Sequence, residues 1–170
     1  MTEASATTEV APATLAHLEA LLEGEAVFEH RFGLNVIPGY LAFPEALEPS
    51  RDAVLGGMPP EWSSHLIIDP IANELLGFGG YKGPPQAGEV EIGYSVAATR
   101  RCRGHATAAC RALVDHARAA GVDLVSAHTL PESNASTRVL ERCGLTRAGE
   151  ATDPDEGLVW RWELRLVTSR

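Results

Sequence analysis

The sequence is most informative at residues 89–117, which read "EVEIGYSVAATRRCRGHATAACRALVDHA". Its first eight residues alternate between apolar and polar or small side chains, which predicts a strand with one buried face. The buried face holds Val90, Ile92, Tyr94 and Val96, and the other face holds Glu89, Glu91, Gly93 and Ser95. From Gly104 to Ala120, apolar residues recur at helical spacing, which predicts a long amphipathic helix. A strand, a short turn and a strong helix therefore follow one another.

The turn between them, "RRCRGHAT", is called here the arginine–glycine loop (residues 100–107). The first turn of a helix has free N–H groups and a partial positive charge, so it attracts anions. Gly104 allows an anion to approach the backbone, and the neighbouring arginines add positive charge. Taken alone, the loop is equally compatible with an ordinary solvated turn.

The composition limits the classes of function. A chain of 170 residues with 45% hydrophobic residues suits one domain, for which we predict a flexible N-terminus over residues 1–11 and a folded domain over residues 12–170. The net charge of −9 argues against nucleic-acid or membrane partners, which need a broad basic face. Three cysteines without metal-binding spacing, and a start without a secretory pattern, predict a cytoplasmic protein without a metal.

The rest of the chain reads as a mixture of helices and strands. One or two helices are expected in residues 12–32, and another, interrupted near Pro49, in residues 43–57. Strands are predicted at residues 64–69, 74–83, 123–130, 145–151 and 158–166, and a short helix at residues 134–144. This order predicts an α/β (α+β) domain with one mixed sheet and helices on its faces.

Residues 89–117 resemble the acetyl-CoA-binding core of the GCN5-related N-acetyltransferases (GNAT superfamily). The R-x-x-G-x-A signature of that core falls on Arg101, Gly104 and Ala106. Downstream, "AHTLPESNASTRVLERCGL" (residues 127–145) resembles the second half of the core, most closely in the branch of ribosomal-protein N-terminal acetyltransferases. The two segments have the family's order and separation, and the resemblance covers about residues 64–166.

The resemblance implies a single-domain GNAT fold whose central sheet is splayed between its fourth and fifth strands, here the strands at residues 89–96 and 124–130. Acetyl-CoA, as co-substrate, is expected to lie in the split. Backbone groups of Ser95 and Val96 are expected to pair with its pantetheine arm, as an added strand would. The pyrophosphate is expected on the arginine–glycine loop, on Arg101, Cys102, Arg103, Gly104, His105, Ala106 and Thr107.

The implied activity is transfer of an acetyl group to a primary amine, either a small molecule or a peptide N-terminus, by direct attack. Because an ammonium cannot attack, a base must take a proton. Glu91 is the candidate, with Glu89 second; the alternative is that both are solvent-facing strand residues. The backbone N–H of Val96 is the expected donor to the carbonyl oxygen of the thioester.

Two positions depart from the family pattern. Ser133 stands where asparagine is usual, so the polar contact to the cofactor is expected from Ser133, Asn134 or Ser136. Leu140 stands where many members have a tyrosine that protonates the leaving thiolate. These departures keep open the alternative of a catalytically inactive acyl-CoA-binding regulatory module, whereas the arginine–glycine loop and the carboxylate-bearing strand favour the enzyme. The acceptor is not readable from the sequence, and neither is the choice between a monomer and a homodimer.

Overall fold

The computed structural model describes residues 7–166 of the chain. Within that range the α-helices are α1 (Leu15–Glu23), α2 (Glu25–Phe32), α3 (Leu47–Leu55), α4 (His105–Ala119) and α5 (Ala135–Arg142). The strands are β1 (Glu9–Pro12), β2 (Asn35–Val36), β3 (Ser64–Asp69), β4 (Glu74–Tyr81), β5 (Glu89–Val96), β6 (Leu124–Thr129), β7 (Thr146–Asp153) and β8 (Gly157–Arg165). Short 3-10 turns lie at Pro44–Ala46, Pro60–Trp62 and Ala98–Arg100.

The strands form one mixed sheet, as predicted. Its order is β1-β3-β4-β5-β6-β8-β7, and β2 pairs with β4 beside this path. The pairings of β5 with β6 and of β2 with β4 are parallel, and the others are antiparallel. Helix α4 connects β5 to β6, and α5 connects β6 to β7.

The sheet is split between β5 and β6. These strands pair only from Glu89 to Glu91, opposite Leu124 to Ser126. Beyond that point β5 stays with β4, and β6 stays with β8. The space between residues 92–96 of β5 and 127–129 of β6 is called the cleft. The split strands are fifth and sixth in this chain, rather than fourth and fifth, because the short β2 adds to the count.

Helices cover both faces of the sheet. On one face, α1, α2 and α3 pack against β3 and β4 through buried residues that include Leu18, Phe28, Leu66 and Phe78. On the other face, α4 packs against β5; the residues buried there include Val90, Ile92, Cys110 and Leu113. The apolar face predicted for β5 is therefore the buried one.

Two sequence predictions need correction. The flexible N-terminus expected over residues 1–11 instead contains β1, in which Glu9–Pro12 pair with the edge of β3. This strand is too short to show a pattern of its own, and residues 1–6 lie outside the described residues. Pro49 does not interrupt α3 but lies in its first turn, where no intrahelical N–H bond is needed.

Candidate functional site

The backbone of β5 presents polar groups to the cleft. In an antiparallel pair, alternate residues direct their N–H and C=O groups to the partner strand. The bonds Lys82 N–H to Glu91 O (3.0 Å) and Ala97 N–H to Leu76 O (2.8 Å) show that the odd-numbered residues face β4. Tyr94 and Val96 therefore direct their N–H and C=O groups to the other side, where β6 has left the sheet. This is the arrangement that strand-like pairing with a linear ligand requires.

The arginine–glycine loop has the backbone conformation of an anion site. Cys102 (φ 61°) and Gly104 (φ 85°) are both left-handed and flank Arg103, and such turns direct successive N–H groups into one concavity. Gly104 is the N-cap of α4 and supplies no side-chain cap to the free N–H groups of its first turn. A Cβ at Gly104 would meet no atom within 4 Å, so the approach to this backbone is open.

The arginines around the loop have different roles. Arg100 forms a two-pronged ion pair with Glu74 on β4, with Nε–Oε2 and Nη2–Oε1 distances of 2.7 and 2.9 Å. Arg101 donates from Nε to the carbonyl oxygen of Val96 at 3.1 Å. Arg103 is exposed, and no ion pair engages it within residues 7–166. Arg100 therefore anchors the loop, and the side-chain charge available to a ligand comes from Arg101 and Arg103.

The side chain of His105 is turned away from the loop surface. It is buried, and its Nδ1 lies 2.9 Å from Thr8 Oγ1. Burial lowers the pKa of His105, which keeps the ring neutral near pH 7. Among the predicted ligand residues, His105 is thus placed to contribute only its main-chain N–H, as Ala106 is. Thr107 keeps a partly exposed side chain, while its carbonyl oxygen accepts from Cys143 Sγ at 3.6 Å.

A cavity of about 550 Å³ follows the cleft and opens beyond it. Ser95, Asn134 and Ser136 line it, and so does Glu91. The other residues that line it include Leu41, Ala42, Phe43, Lys82, Tyr94, His128, Leu130, Leu140, Asp153 and Glu156. The structure thus brings together four side chains that sequence analysis selected from two separate segments.

Glu91 contacts two other side chains that line this cavity. Its Oε1 lies 2.6 Å from His128 Nδ1 and 2.7 Å from Lys82 Nζ. Burial raises the pKa of the Glu91 carboxyl, but the hydrogen bonds from Lys82 and His128 outweigh it, so the pKa lies below its ordinary value. Glu91 is therefore a carboxylate held by two donors, at what we call the acceptor end of the cavity (Lys82, Glu91, His128, Asp153 and Glu156).

Glu89 lies on the same face of β5 but does not line the cavity. Its Oε1 accepts from Arg161 at 2.6 Å and from the Ser126 hydroxyl at 2.8 Å. The Arg161 guanidinium, with smaller help from Ser126, holds the pKa of Glu89 below its ordinary value. This ion pair joins β5, β6 and β8 at the closed end of the split, which favours a structural role for Glu89.

At the start of α5, the three predicted polar contacts, Ser133, Asn134 and Ser136, do not all face the same cavity. Asn134 is the N-cap: its Oδ1 accepts from Thr137 N–H at 3.1 Å, and the Thr137 hydroxyl accepts in return from Asn134 N–H. Asn134 and Ser136 line the cavity, whereas Ser133 lines a separate one of about 290 Å³. Leu140, although only 2% exposed, also lines the main cavity. Leu140 therefore lies between the core and the cavity.

Four residues of the acceptor end, Lys82, His128, Asp153 and Glu156, were not among the residues predicted from the sequence. His128 gave one signal, its place in the strand of the second motif, while Lys82, Asp153 and Glu156 lie in or beside turns without a pattern. Of the aromatic residues, Tyr40, Trp62 and Trp162 are buried in the core, and the Trp160 ring lies 4.3 Å under the Arg147 guanidinium; none of these four lines the cavity. Tyr81 lines the cavity but donates its hydroxyl to Leu113 O.

The sequence matches a known protein family over most of its length. The family model described as "Acetyltransferase (GNAT) domain" matches residues 10–146. The chain belongs to the GNAT acetyltransferases. The enzyme class expected from the resemblance, an acyltransferase, is that of this family. The matched range runs from β1 through α5 and contains both sides of the cleft.

Solved structures show the same fold in other GNAT acetyltransferases. RimL, a ribosomal L7/L12 alpha-N-protein acetyltransferase in complex with coenzyme A, is 20% identical and superposes with a TM-score of 0.68, covering 96% of each chain. The ribosomal-protein-S5-alanine acetyltransferase from Vibrio fischeri is 14% identical (TM-score 0.66; 93% of this chain, 92% of that one). The aminoglycoside acetyltransferase AAC(6')-Ib, also with coenzyme A, is 18% identical (TM-score 0.63; 94% and 95%). No curated protein matches the sequence significantly.

The site of this GNAT chain fits coenzyme A on its own geometry. The open backbone at Gly104, the uncapped start of α4 and the cleft-facing groups of Tyr94 and Val96 lie along one side of the split.

Among residues 7–166, no group of three or more His, Cys, Asp or Glu side chains could hold a metal ion. No helix in the same range is long and apolar enough to cross a membrane.

Proposed function

We propose that the chain is an acetyl-CoA-dependent N-acetyltransferase that acts on a primary amine by direct attack. The observation that carries the proposal is the order of groups along β5. The arginine–glycine loop and the uncapped start of α4 follow its last residues, and the cavity along residues 91–95 holds the paired side chains of Glu91 and His128. Acetyl-CoA lying along β5 would have its pyrophosphate at the arginine–glycine loop and its acetyl group toward the Glu91–His128 pair.

The cofactor contacts in this proposal are mostly main-chain groups. The N–H groups from Arg101 to Thr107 hold the pyrophosphate, reinforced by the exposed guanidinium of Arg103. The main-chain groups of Tyr94 and Val96, which face the cleft, pair with the pantetheine arm. The sequence prediction for Ser95 needs correction, because its main-chain groups face β4 and only its side chain lines the cavity. Asn134 and Ser136, rather than Ser133, supply the polar contact from α5, because only these two line the cavity.

Acetyl-CoA supplies an activated acetyl group, and the chain orients it, stabilises negative charge and accepts a proton. The Val96 N–H points into the cleft and is our candidate donor to the carbonyl oxygen. The Tyr94 N–H has the same orientation and lies nearer to Glu91. The proton acceptor belongs to the Glu91–His128 pair; Glu89 is engaged by Arg161 and Ser126. Leu140 stands where many family members have a tyrosine, so the CoA thiolate takes a proton from solvent or receives the proton that the amine releases.

The charge at the acceptor end favours a cationic acceptor. Three carboxylates, those of Glu91, Asp153 and Glu156, line the cavity together with one ammonium, that of Lys82, which is paired with Glu91. We propose a cationic small amine or a peptide N-terminus, with the apolar residues 41–43 contacting the group beside the amine. The cysteines of the described chain are free thiols, which fits a reducing compartment, and we place the activity in the cytoplasm.

The test is release of the CoA thiol from acetyl-CoA in the presence of a panel of amines. The panel contains peptides that begin with alanine or serine, an aminoglycoside and small diamines, each with its N-acetylated form as control. We expect thiol release that depends on the free amine. Binding of acetyl-CoA without turnover on any amine would instead support the inactive acyl-CoA-binding module.

A further inference from the structure

We propose that His128 takes the proton of the acceptor amine, at its Nε2, and that Glu91 is a positioning residue that holds the His128 ring. This inference rests on the proposed function and specifies which atom of the site performs its proton transfer. It begins from a side chain that the sequence motifs did not identify and that the structure places against the predicted base.

The contact between the two side chains fixes the histidine tautomer. His128 Nδ1 lies 2.6 Å from Glu91 Oε1, and each side chain is 24% exposed. A carboxylate with a lowered pKa is ionised and can only accept, so the hydrogen of this bond must be on Nδ1. In the neutral imidazole, Nε2 then carries the lone pair. Within residues 7–166, no hydrogen bond engages Nε2, and the ring lines the cavity.

Glu91 itself is poorly suited to accept the proton. Its Oε1 already takes hydrogen bonds from both His128 and Lys82. Protonation would weaken two charge-assisted contacts, which is why the pKa of Glu91 lies below its ordinary value. A general base works best when its pKa lies near the operating pH, and imidazole is the side chain whose ordinary titration range meets that condition.

The pair stands at the point where the sheet opens. Glu91 and Ser126 are the last residues of β5 and β6 that pair, and His128 follows Ser126 by two residues on the same face of β6. Nearer the closed end of the split, Ser126 occupies the same face of β6, and its hydroxyl donates to Glu89. An amine that enters the cavity from the acceptor end therefore meets the His128 ring beside the open part of the cleft, before it can reach Glu89.

Charged groups from several elements face the His128 ring. Glu91 comes from β5, Lys82 follows β4, and Arg161 is the register partner on β8. Asp153 at the end of β7 and Glu156 in the turn after it line the same cavity, and Glu89 lies farther along β5. Carboxylates outnumber cations here, so the imidazolium that forms after proton transfer is stabilised.

The step balances without a further reactant. The neutral amine nitrogen forms a bond to the acetyl carbon, and the carbon–sulfur bond breaks to release the CoA thiolate. One N–H proton passes to His128 Nε2, and from there to the thiolate or to solvent. No oxidant, metal or covalent acyl-enzyme is required.

The kinetic test compares His128→Gln with Glu91→Gln, using the amine of the panel that the wild type acetylates. We expect His128→Gln to lower kcat/KM by about 10²-fold or more and Glu91→Gln by about tenfold, with CoA affinity preserved in both. The acid side of the wild-type kcat/KM profile should contain two ionisations, those of the acceptor ammonium and the imidazole, and His128→Gln should lose one. Glu91→Gln should keep both, and free imidazole should partly rescue His128→Ala.

A larger loss in Glu91→Gln than in His128→Gln, or an unchanged acid side in His128→Gln, would overturn the inference while leaving the proposed function intact. Absence of turnover on every amine would overturn the proposed function, and the inference with it. A second measurement needs no acceptor: nitrogen-15 NMR of the histidine rings, with His128 assigned as the signal lost in His128→Gln. We expect the Nδ1–H tautomer at alkaline pH and its loss in Glu91→Leu, which removes the acceptor oxygen; an Nε2–H tautomer in the wild type would contradict the inference.

Discussion

At the end of the cleft beside α4, the groups that we propose to bind the cofactor come from one continuous segment, residues 100–107, and most are main-chain N–H groups. At the acceptor end they are side chains from four separate segments: Lys82 after β4, Glu91 on β5, His128 on β6, and Asp153 and Glu156 around the turn after β7. Within the described chain no side chain caps the start of α4, whereas Glu91 and His128 satisfy each other directly.

This difference matches what each end has to recognise. A pyrophosphate carries its own charge and can be bound by backbone groups, whose positions depend on conformation and hardly on residue type. Proton transfer needs a particular atom with a particular tautomer, which only side chains in contact can provide. Substitutions should therefore act differently at the two ends.

The largest effect is expected at the loop. Gly104→Glu places a negative charge and a side chain where the anion approaches, and should weaken CoA binding by about 10²-fold, the equivalent of one or two charge-assisted hydrogen bonds. Calorimetric titration with CoA measures this. Gly121→Glu is the matched control, because Gly121 is also left-handed (φ 79°) with open space around its Cβ, but lies after the far end of α4. Equal loss in both variants would contradict the loop assignment.

Leu140 lies between the two ends and tests the register of α5. Leu140→Tyr should cost about 1–3 kcal/mol of unfolding free energy through overpacking, since this side chain is only 2% exposed. Because Leu140 also lines the cavity, we expect the phenol to reach the cleft and amine-dependent thiol release to equal or exceed that of the wild type. Denaturant unfolding and the thiol assay measure the two effects. Loss of CoA affinity together with stability would show that Leu140 is only a packing residue.

Neighbouring arginines of the loop should differ from each other. Arg101→Ala should weaken CoA binding only about three- to tenfold, because the main-chain groups remain. Arg100→Ala removes the ion pair with Glu74 and should lower the melting temperature more than Arg101→Ala does, with a smaller effect on CoA affinity. Thermal unfolding and titration of both variants provide the comparison. A greater loss of CoA affinity in Arg100→Ala would mean that Arg100, and not Arg101, contacts the ligand.

The smallest effect concerns Glu89 at the closed end of the split. Its pKa is lowered in the folded protein, so its ion pair stabilises the fold above the ordinary carboxyl pKa, and this contribution is lost as the pH falls through the folded value. The difference in unfolding free energy between wild type and Glu89→Gln should thus be present near neutral pH and shrink below about pH 4. Denaturant unfolding across this range measures it. A large loss of turnover at neutral pH in folded Glu89→Gln would argue instead for a role in the reaction.

Features formed by one continuous segment could be predicted from the sequence, whereas contacts between distant segments could not. The β5–loop–α4 unit is contiguous, so its alternation, its glycine and its helical spacing were all visible, and the split followed from the family resemblance. The contact of Glu91 with His128 joins residues 37 positions apart and depends on how two strands separate, which no local pattern encodes. β1 escaped prediction for a related reason: its four residues are ordered by the edge of β3 rather than by their own sequence.

In the proposed function, coenzyme A binds along β5 inside the cleft. Amide hydrogen exchange of β5, measured with and without CoA, tests this binding mode. The N–H groups of Gly93 and Ser95 face β4 and should be protected in both states, whereas those of Tyr94 and Val96 face the cleft. We predict that CoA slows exchange at Tyr94 and Val96 and leaves Gly93 and Ser95 unchanged. Unaltered exchange at Tyr94 and Val96 under saturating CoA would contradict the account.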